Sequence, residues 1–142
     1  MLWLRKSKKG FTLIELMVVV AIIGVLALLG LRLYTGQQEK AKNSIIKANA
    51  GTIQTLIQAE LADKTDLQVA GLWTVAGLIT SSGIHNPMTG LLQANAPANF
   101  GAAVAGEVWV TVPPEGSTVF TINGKDAAGT ANVYATNLTA RR

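Results

Sequence analysis

The chain has 142 residues, no cysteine and a formal net charge of +4 at pH 7. Without cysteine it has no disulfides, no thiolate metal ligands and no cysteine nucleophile. Four basic residues near the N-terminus account for the whole net charge, namely Arg5, Lys6, Lys8 and Lys9. Because the remaining basic and acidic residues balance, the high isoelectric point is weak support for nucleic-acid binding.

A bilayer-length apolar segment follows these basic residues. Phe11–Leu31 carries a single ionisable side chain, Glu15. As a helix with a rise of about 1.5 Å per residue, the segment would extend roughly 31 Å, enough to cross the hydrocarbon core. Basic residues in front of it predict a cytoplasmic N-terminus and export of the rest. A carboxylate at the start of such a segment is costly, so Glu15 is a candidate functional residue.

The block Lys9-Gly10-Phe11-Thr12-Leu13-Ile14-Glu15-Leu16 joins the basic leader to the apolar segment. It resembles the processing site of type IV pilins and of the related pseudopilins of type II secretion. The resemblance implies that a prepilin peptidase cuts after Gly10 and methylates the new N-terminal residue, Phe11. It also implies that Glu15 supports filament assembly.

In that assembly, the carboxylate of Glu15 would need a positively charged partner. A lone carboxylate in hydrocarbon requires a cation, and cleavage after Gly10 creates one at the Phe11 amine. An incoming subunit could place this amine against Glu15 of a subunit already in the fibre. The alternative is that Glu15 stays hydrated near the membrane interface or binds its own N-terminus.

Beyond Arg32 the apolar run changes to an amphipathic helical pattern. Apolar residues recur there every three or four positions, at Ile46, Ala50, Ile53, Ile57 and Leu61. The pattern predicts one continuous helix over 11–62. Gly24 and Gly30 interrupt its apolar half, each about 1 kcal/mol less favourable than alanine. They either permit close helix–helix packing in the membrane or soften the helix when it moves from lipid into a fibre.

The rest of the chain predicts a small head with a connecting loop and an antiparallel sheet. A short helical turn is expected in 67–79, with inward-facing Leu72, Trp73, Val75, Leu78 and Ile79. The segment Asn86–Gly90 carries a turn signal. β-forming runs predict strands at 107–112, 118–122 and 132–138, with another at 99–104. Asn123-Gly124 predicts a tight turn, and Trp109 and Phe120 are expected in the sheet core.

Other candidate chemistry is sparse. His85 has no nucleophile beside it in the sequence and is interpreted as a surface residue. No zinc, EF-hand or P-loop spacing is present, so no catalytic residue, cofactor or metal is predicted. Some pseudopilins bind calcium in C-terminal loops, so the resemblance keeps Asp126 as a weak candidate for a calcium ligand. The pair Arg141-Arg142 makes nucleic-acid contact conceivable but unsupported, and Asn137 begins an N-glycosylation pattern.

Together these features predict an α+β, pilin-like fold, with one long N-terminal helix packed against a small C-terminal antiparallel sheet. The expected parts are a cleaved leader (1–10), a helix that anchors the chain in the membrane and forms the filament core (11–62), and a head (63–142). The resemblance implies a type IV pilus subunit that forms a helical homopolymer. Its other partners would be the prepilin peptidase and the inner-membrane pilus assembly machinery.

The implied location is the inner membrane before assembly, as a single-pass protein with a cytoplasmic N-terminus, and the extracellular pilus afterwards. A minor pilin or a type II secretion pseudopilin is the main alternative, because both share this kind of N-terminus. A membrane-anchored binding module, in which the head is the working part, is a further alternative. An enzyme is the least supported class.

Overall fold

The computed structural model describes residues 10–74, 77–94, 97, 101–114 and 118–141. Within these residues the elements in chain order are α1 (Leu13–Asp63), α2 (Asp66–Thr74), α3 (Gly77–Ser81), β1 (Val108–Thr111), β2 (Val119–Gly124) and β3 (Leu138–Arg141). The chain divides into two compact units, of which the first ends at Gln37 and the second begins at Gln38. The predicted α+β fold is confirmed.

Helix α1 is continuous over 51 residues. In the first unit its large apolar side chains are exposed. In the second unit the predicted apolar stripe is buried, and its members are Ile46, Ala50, Ile53, Ile57 and Leu61. The spacing of three and four residues places all five on one helix face, where they pack into the core of the head.

The three strands form an antiparallel sheet in the order β1, β2, β3. One face of the sheet packs with the buried stripe of α1 and carries Val108, Val110, Phe120, Ile122 and Ala140. Trp109 and Phe120 are both buried, as predicted. Because strand side chains alternate between faces, Trp109 lies on the face opposite Val108 and Val110, away from α1.

The predicted tight turn at Asn123-Gly124 was wrong. Both residues belong to β2, where Asn123 pairs with Trp109 and Gly124 pairs with Val108. Glycine is required there by tertiary packing, because a Cβ on Gly124 would lie 2.3 Å from Cγ2 of Ile46. Asn123 is fully buried, and its Nδ2 donates to the carbonyl oxygen of Tyr134 at 3.2 Å.

Two further expectations about the sheet fail. A strand over 132–138 was wrong, because β3 begins only at Leu138 and the described chain before it is irregular apart from an isolated bridge between Lys125 and Asn132. In the suggested strand over 99–104, residues 101–104 form no strand, and 99–100 lie outside the described residues. Pairing of the first segment stops close to the loop closed on Asp126, after the Asn132 bridge and a hydrogen bond from the Val133 N–H to the Gly124 carbonyl oxygen.

The described residues of the connecting region include the short helices α2 and α3. A Thr65–Gln68 cap begins α2, since the Thr65 N–H donates to Gln68 Oε1 at 3.1 Å. Ile79 is buried as predicted, but Leu72 is exposed, so its inward placement was wrong. A helix of two turns buries only the residues on its inner face, and Val69 occupies that face of α2. The side chains of Trp73, Val75 and Leu78 lie outside the described part of the structure.

The predicted turn at Asn86–Gly90 is confirmed. The Gly90 N–H donates to the Asn86 carbonyl oxygen at 2.8 Å, and Gly90 has a φ of 72°. The buried Asn86 side chain fastens this turn to a neighbouring loop, because its Nδ2 donates to the Ala105 carbonyl oxygen at 3.0 Å. Its Oδ1 accepts the Met88 N–H at 2.8 Å.

Candidate assembly site

The start of α1 holds Glu15 in a capping box. Thr12 directly precedes the first helical residue, and Glu15 follows three positions later. The carboxylate Oε2 accepts hydrogen bonds from the Thr12 N–H and from the Thr12 hydroxyl, both at 2.8 Å. In return, Thr12 Oγ1 accepts the Glu15 N–H at 3.3 Å. These reciprocal bonds satisfy donors that a helix start leaves unpaired.

Glu15 therefore has hydrogen bonds but lacks a cation among the described residues. The ion pair among the described residues joins Lys64 to Glu60 near the C-terminal end of α1 and does not involve Glu15. The helix dipole favours a negative charge at this end of α1, but it supplies only a fraction of a unit charge. In the single chain the Glu15 carboxylate thus binds Thr12, and whether it pairs with its own N-terminus or with another subunit stays a prediction.

Gly10 and Phe11 precede α1 in a non-helical conformation. Gly10 is exposed, and the Phe11 side chain is 83% exposed. A peptide bond that is exposed and outside regular structure is accessible to a peptidase. The bond after Gly10 satisfies both conditions.

The apolar half of α1 presents a long exposed apolar surface. Large apolar side chains are exposed from Phe11 to Tyr34. Among the described residues, one helix is long and apolar enough to cross a membrane. Scattered exposed apolar residues are normal on a soluble protein, but a continuous surface of this size indicates lipid or other apolar helices as its surroundings.

Gly24 and Gly30 lie within this surface, and the helix is unbroken at both. A Cβ added at either glycine would meet nothing within 4 Å. Alanine therefore fits at both positions in the single chain. Whether the segment softens in a fibre stays a prediction.

The candidates in the head fall into separate places. His85 is exposed, with its Nδ1 2.9 Å from the Gly83 carbonyl oxygen. Arg141 ends β3, and Arg142 lies outside the described residues. Asn137 is exposed and accepts a hydrogen bond from the buried Asn123 side chain. None of these contacts joins them into one site.

Asp126 organises its own loop. Its Oδ1 accepts the N–H groups of Thr130 and Ala131 at 2.7 and 3.0 Å. Partial burial raises the pKa of the Asp126 carboxyl, but hydrogen bonds from Ala131, Thr130 and Gly129 outweigh this and hold the pKa below its usual value. The described residues contain no group of three or more side chains that could hold a metal ion.

Comparison with known proteins decides the family. Residues 5–31 match the family model described as the prokaryotic N-terminal methylation motif. The chain is also 30% identical over 126 residues to a type IV major fimbrial protein FimA of Dichelobacter nodosus, covering 88% of the chain and 77% of that relative. The chain belongs to the type IV pilin family.

Other relatives agree with this membership. The pilin is 31% identical over 144 residues to fimbrial protein Q of Moraxella bovis, covering 87% of the chain and 91% of the relative. It is 39% identical over 82 residues to another FimA of Dichelobacter nodosus, covering 56% of the chain but only 51% of that relative. The match thus spans about half the length of this relative. No solved structure gives a significant match.

Membership in this family supports a structural role, and these relatives bear the names of fimbrial proteins. Sequence reasoning missed one residue of the candidate site, Thr12. Its signal was present, since a threonine three residues before a glutamate at the start of an apolar run is the pattern of a capping box.

Proposed function

We propose that this pilin is the structural subunit of an extracellular type IV pilus, cut after Gly10, methylated at Phe11 and polymerised through its N-terminal helix. The observation that carries the proposal is the long exposed apolar half of α1 with one carboxylate, Glu15, at its start. Two relatives that cover most of this chain bear the names of fimbrial proteins. The chain accordingly divides into a leader (1–10), an anchoring and core-forming helix (11–62) and a head (63–142).

Apolar burial alone does not drive this assembly. A helix that leaves lipid for a bundle of similar helices exchanges one apolar environment for another, so net affinity comes from close packing and polar pairing. Gly24 and Gly30 allow close approach and soften the helix during this transfer. Replacing both with alanine should straighten the segment, and a filament map with unchanged helical order would contradict the softening.

The charge of Glu15 supplies the polar pairing. Cleavage after Gly10 gives Phe11 a positively charged amine, and this amine of an incoming subunit pairs with Glu15 of a subunit already in the fibre. Thr12 holds the carboxylate in place before pairing, because both of its hydrogen bonds to the carboxylate end on Oε2. The Coulomb attraction between two opposite charges is stronger where water is excluded than at an exposed surface.

The route to the fibre follows from the ends of the apolar segment. The chain first crosses the inner membrane once, with its basic leader in the cytoplasm, and the prepilin peptidase removes that leader. The pilus assembly machinery then transfers the helix from lipid into the growing fibre. A minor pilin or a pseudopilin would share these steps, and low abundance in sheared fibres would identify either of them.

Removing the charge of Glu15 tests the mechanism. Glu15→Gln keeps the size of the side chain and Glu15→Ala removes it, whereas Glu39→Gln removes an exposed carboxylate outside the apolar segment and serves as the control. Both Glu15 variants should reach the membrane in normal amounts but yield few fibres, while the control yields normal fibres. Normal fibre yield from the Glu15 variants would contradict the assembly role.

A further inference from the structure

Among the described residues of the head, the sheet has three strands, and its two edges are formed by β1 and β3. An edge strand presents N–H and C=O groups that can pair with a strand of another chain. In a fibre, many copies of the head are held at high local concentration, so such pairing would be a constant hazard. The contacts at these edges therefore bear on how heads meet.

The edge of β1 is closed by a side chain. The Val108 N–H donates to Gln93 Oε1 at 3.0 Å, and Gln93 Nε2 donates to the Val108 carbonyl oxygen at 2.7 Å. One amide side chain thus reproduces the pair of bonds that a neighbouring strand would make. Gln93 is only 3% exposed, so this arrangement is part of the packed head.

The next β1 N–H that points away from β2, that of Val110, also has a hydrogen-bond partner. The Val110 N–H donates to the carbonyl oxygen of Pro97 at 3.2 Å. Proline has no N–H and therefore cannot extend a ladder of strand hydrogen bonds. On the opposite edge of the sheet, Gln54 Nε2 of α1 donates to the Thr139 carbonyl oxygen of β3 at 2.9 Å.

We propose that Gln93 and Pro97 form an edge plug that prevents the sheets of two copies from pairing strand to strand. The plug occupies the Val108 N–H, the Val108 carbonyl oxygen and the Val110 N–H, which a neighbouring strand would otherwise pair with. Heads in an assembly would then meet through side-chain surfaces, and the helices would set their order. The inference concerns the folded head and does not depend on the proposed route of assembly.

Removing the plug tests this inference on the full-length chain in detergent micelles. Gln93→Ala opens the β1 edge, and Gln93→Glu keeps an acceptor for the Val108 N–H but adds a charge that discourages strand pairing. Gln58→Ala removes an exposed glutamine of α1 and serves as the control. Sedimentation should show concentration-dependent association for Gln93→Ala only. A folded Gln93→Ala chain that sediments like the control at every concentration would overturn the proposal.

A second measurement uses the unaltered chain, so it stands even if Gln93→Ala fails to fold. Hydrogen exchange of side-chain amides, followed by NMR, compares Gln93 with exposed Gln58. The side-chain amide of Gln93 should exchange more slowly than that of Gln58, by a factor of up to about ten, because its hydrogen bond must first open. Equal exchange of the two amides would overturn the proposal, because the edge would then be open without causing association.

Discussion

Replacing Gly124 with alanine would put a methyl group between β2 and α1. Its Cβ would lie 2.3 Å from Cγ2 of Ile46 and 3.2 Å from Cγ2 of Val133. Favourable contacts between carbon atoms lie at about 3.5–4.0 Å, so the strand or the helix must move by about 1 Å. Ile46 is fully buried and cannot rotate into solvent to make room.

Two opposing effects set the magnitude. Overpacking a core costs about 1–3 kcal/mol. Alanine also restricts the unfolded chain, which stabilises the fold by about 0.4–1 kcal/mol. The steric term is larger, so the free energy of unfolding should fall by about 1–2 kcal/mol. For a domain of about 100 residues this lowers Tm by about 4–16 °C.

Thermal unfolding of the full-length chain in detergent, followed by near-UV circular dichroism, measures this change. Gly51→Ala is the matched control, because its Cβ would meet nothing within 4 Å inside α1. That substitution should stabilise the chain by up to about 1 kcal/mol. On an Ile46→Ala background, Gly124→Ala should lose most of its cost. Equal stability of the Gly124→Ala and Gly51→Ala chains would refute the close approach of α1 and β2.

Three further changes test other contacts. Thr12→Val removes the hydroxyl that bonds Glu15, whereas Thr12→Ser keeps one. Because a helix cap contributes about 0.5–2 kcal/mol, backbone amides in the first turn of α1 should exchange faster in Thr12→Val than in Thr12→Ser. Equal exchange in the two variants would argue against the cap. Asn86→Ala removes the hydrogen bonds that this buried side chain makes to the Ala105 carbonyl oxygen and from the Met88 N–H, and it should cost about 1–3 kcal/mol. An unchanged Tm would count against these contacts. Because the pKa of Asp126 is lowered from its ordinary value of 3.8, its stabilising effect is present above that value and is lost as pH falls through the folded-state pKa. The stability difference between the unaltered chain and Asp126→Asn should therefore shrink below about pH 4, and a constant difference would contradict it.

The helical half of the fold was predictable because its signals are local. The stripe from Ile46 to Leu61 follows the helical repeat, and each of its five members is buried. The turn at Asn86–Gly90 was likewise predictable from residues that restrict their own backbone. Thr12 could have been found in the same way, from its spacing to Glu15.

The sheet was less predictable because its decisive contacts join distant parts of the chain. Asn123-Gly124 has the composition of a tight turn, but Gly124 serves the approach of Ile46 from α1. Gln93 has no sequence feature that distinguishes it from other glutamines, since its partner Val108 is fifteen positions away. The exposed side chain of Leu72 also shows that hydrophobicity alone does not determine which face of a short helix is buried.

The central proposal is that the chain is cut after Gly10 and becomes the main subunit of a surface fibre. Fibres sheared from the producing cells should be analysed by intact mass and by the N-terminal peptide of their dominant protein. We expect that protein to begin at methylated Phe11. A chain that still begins at Met1 in its native host would contradict the proposal.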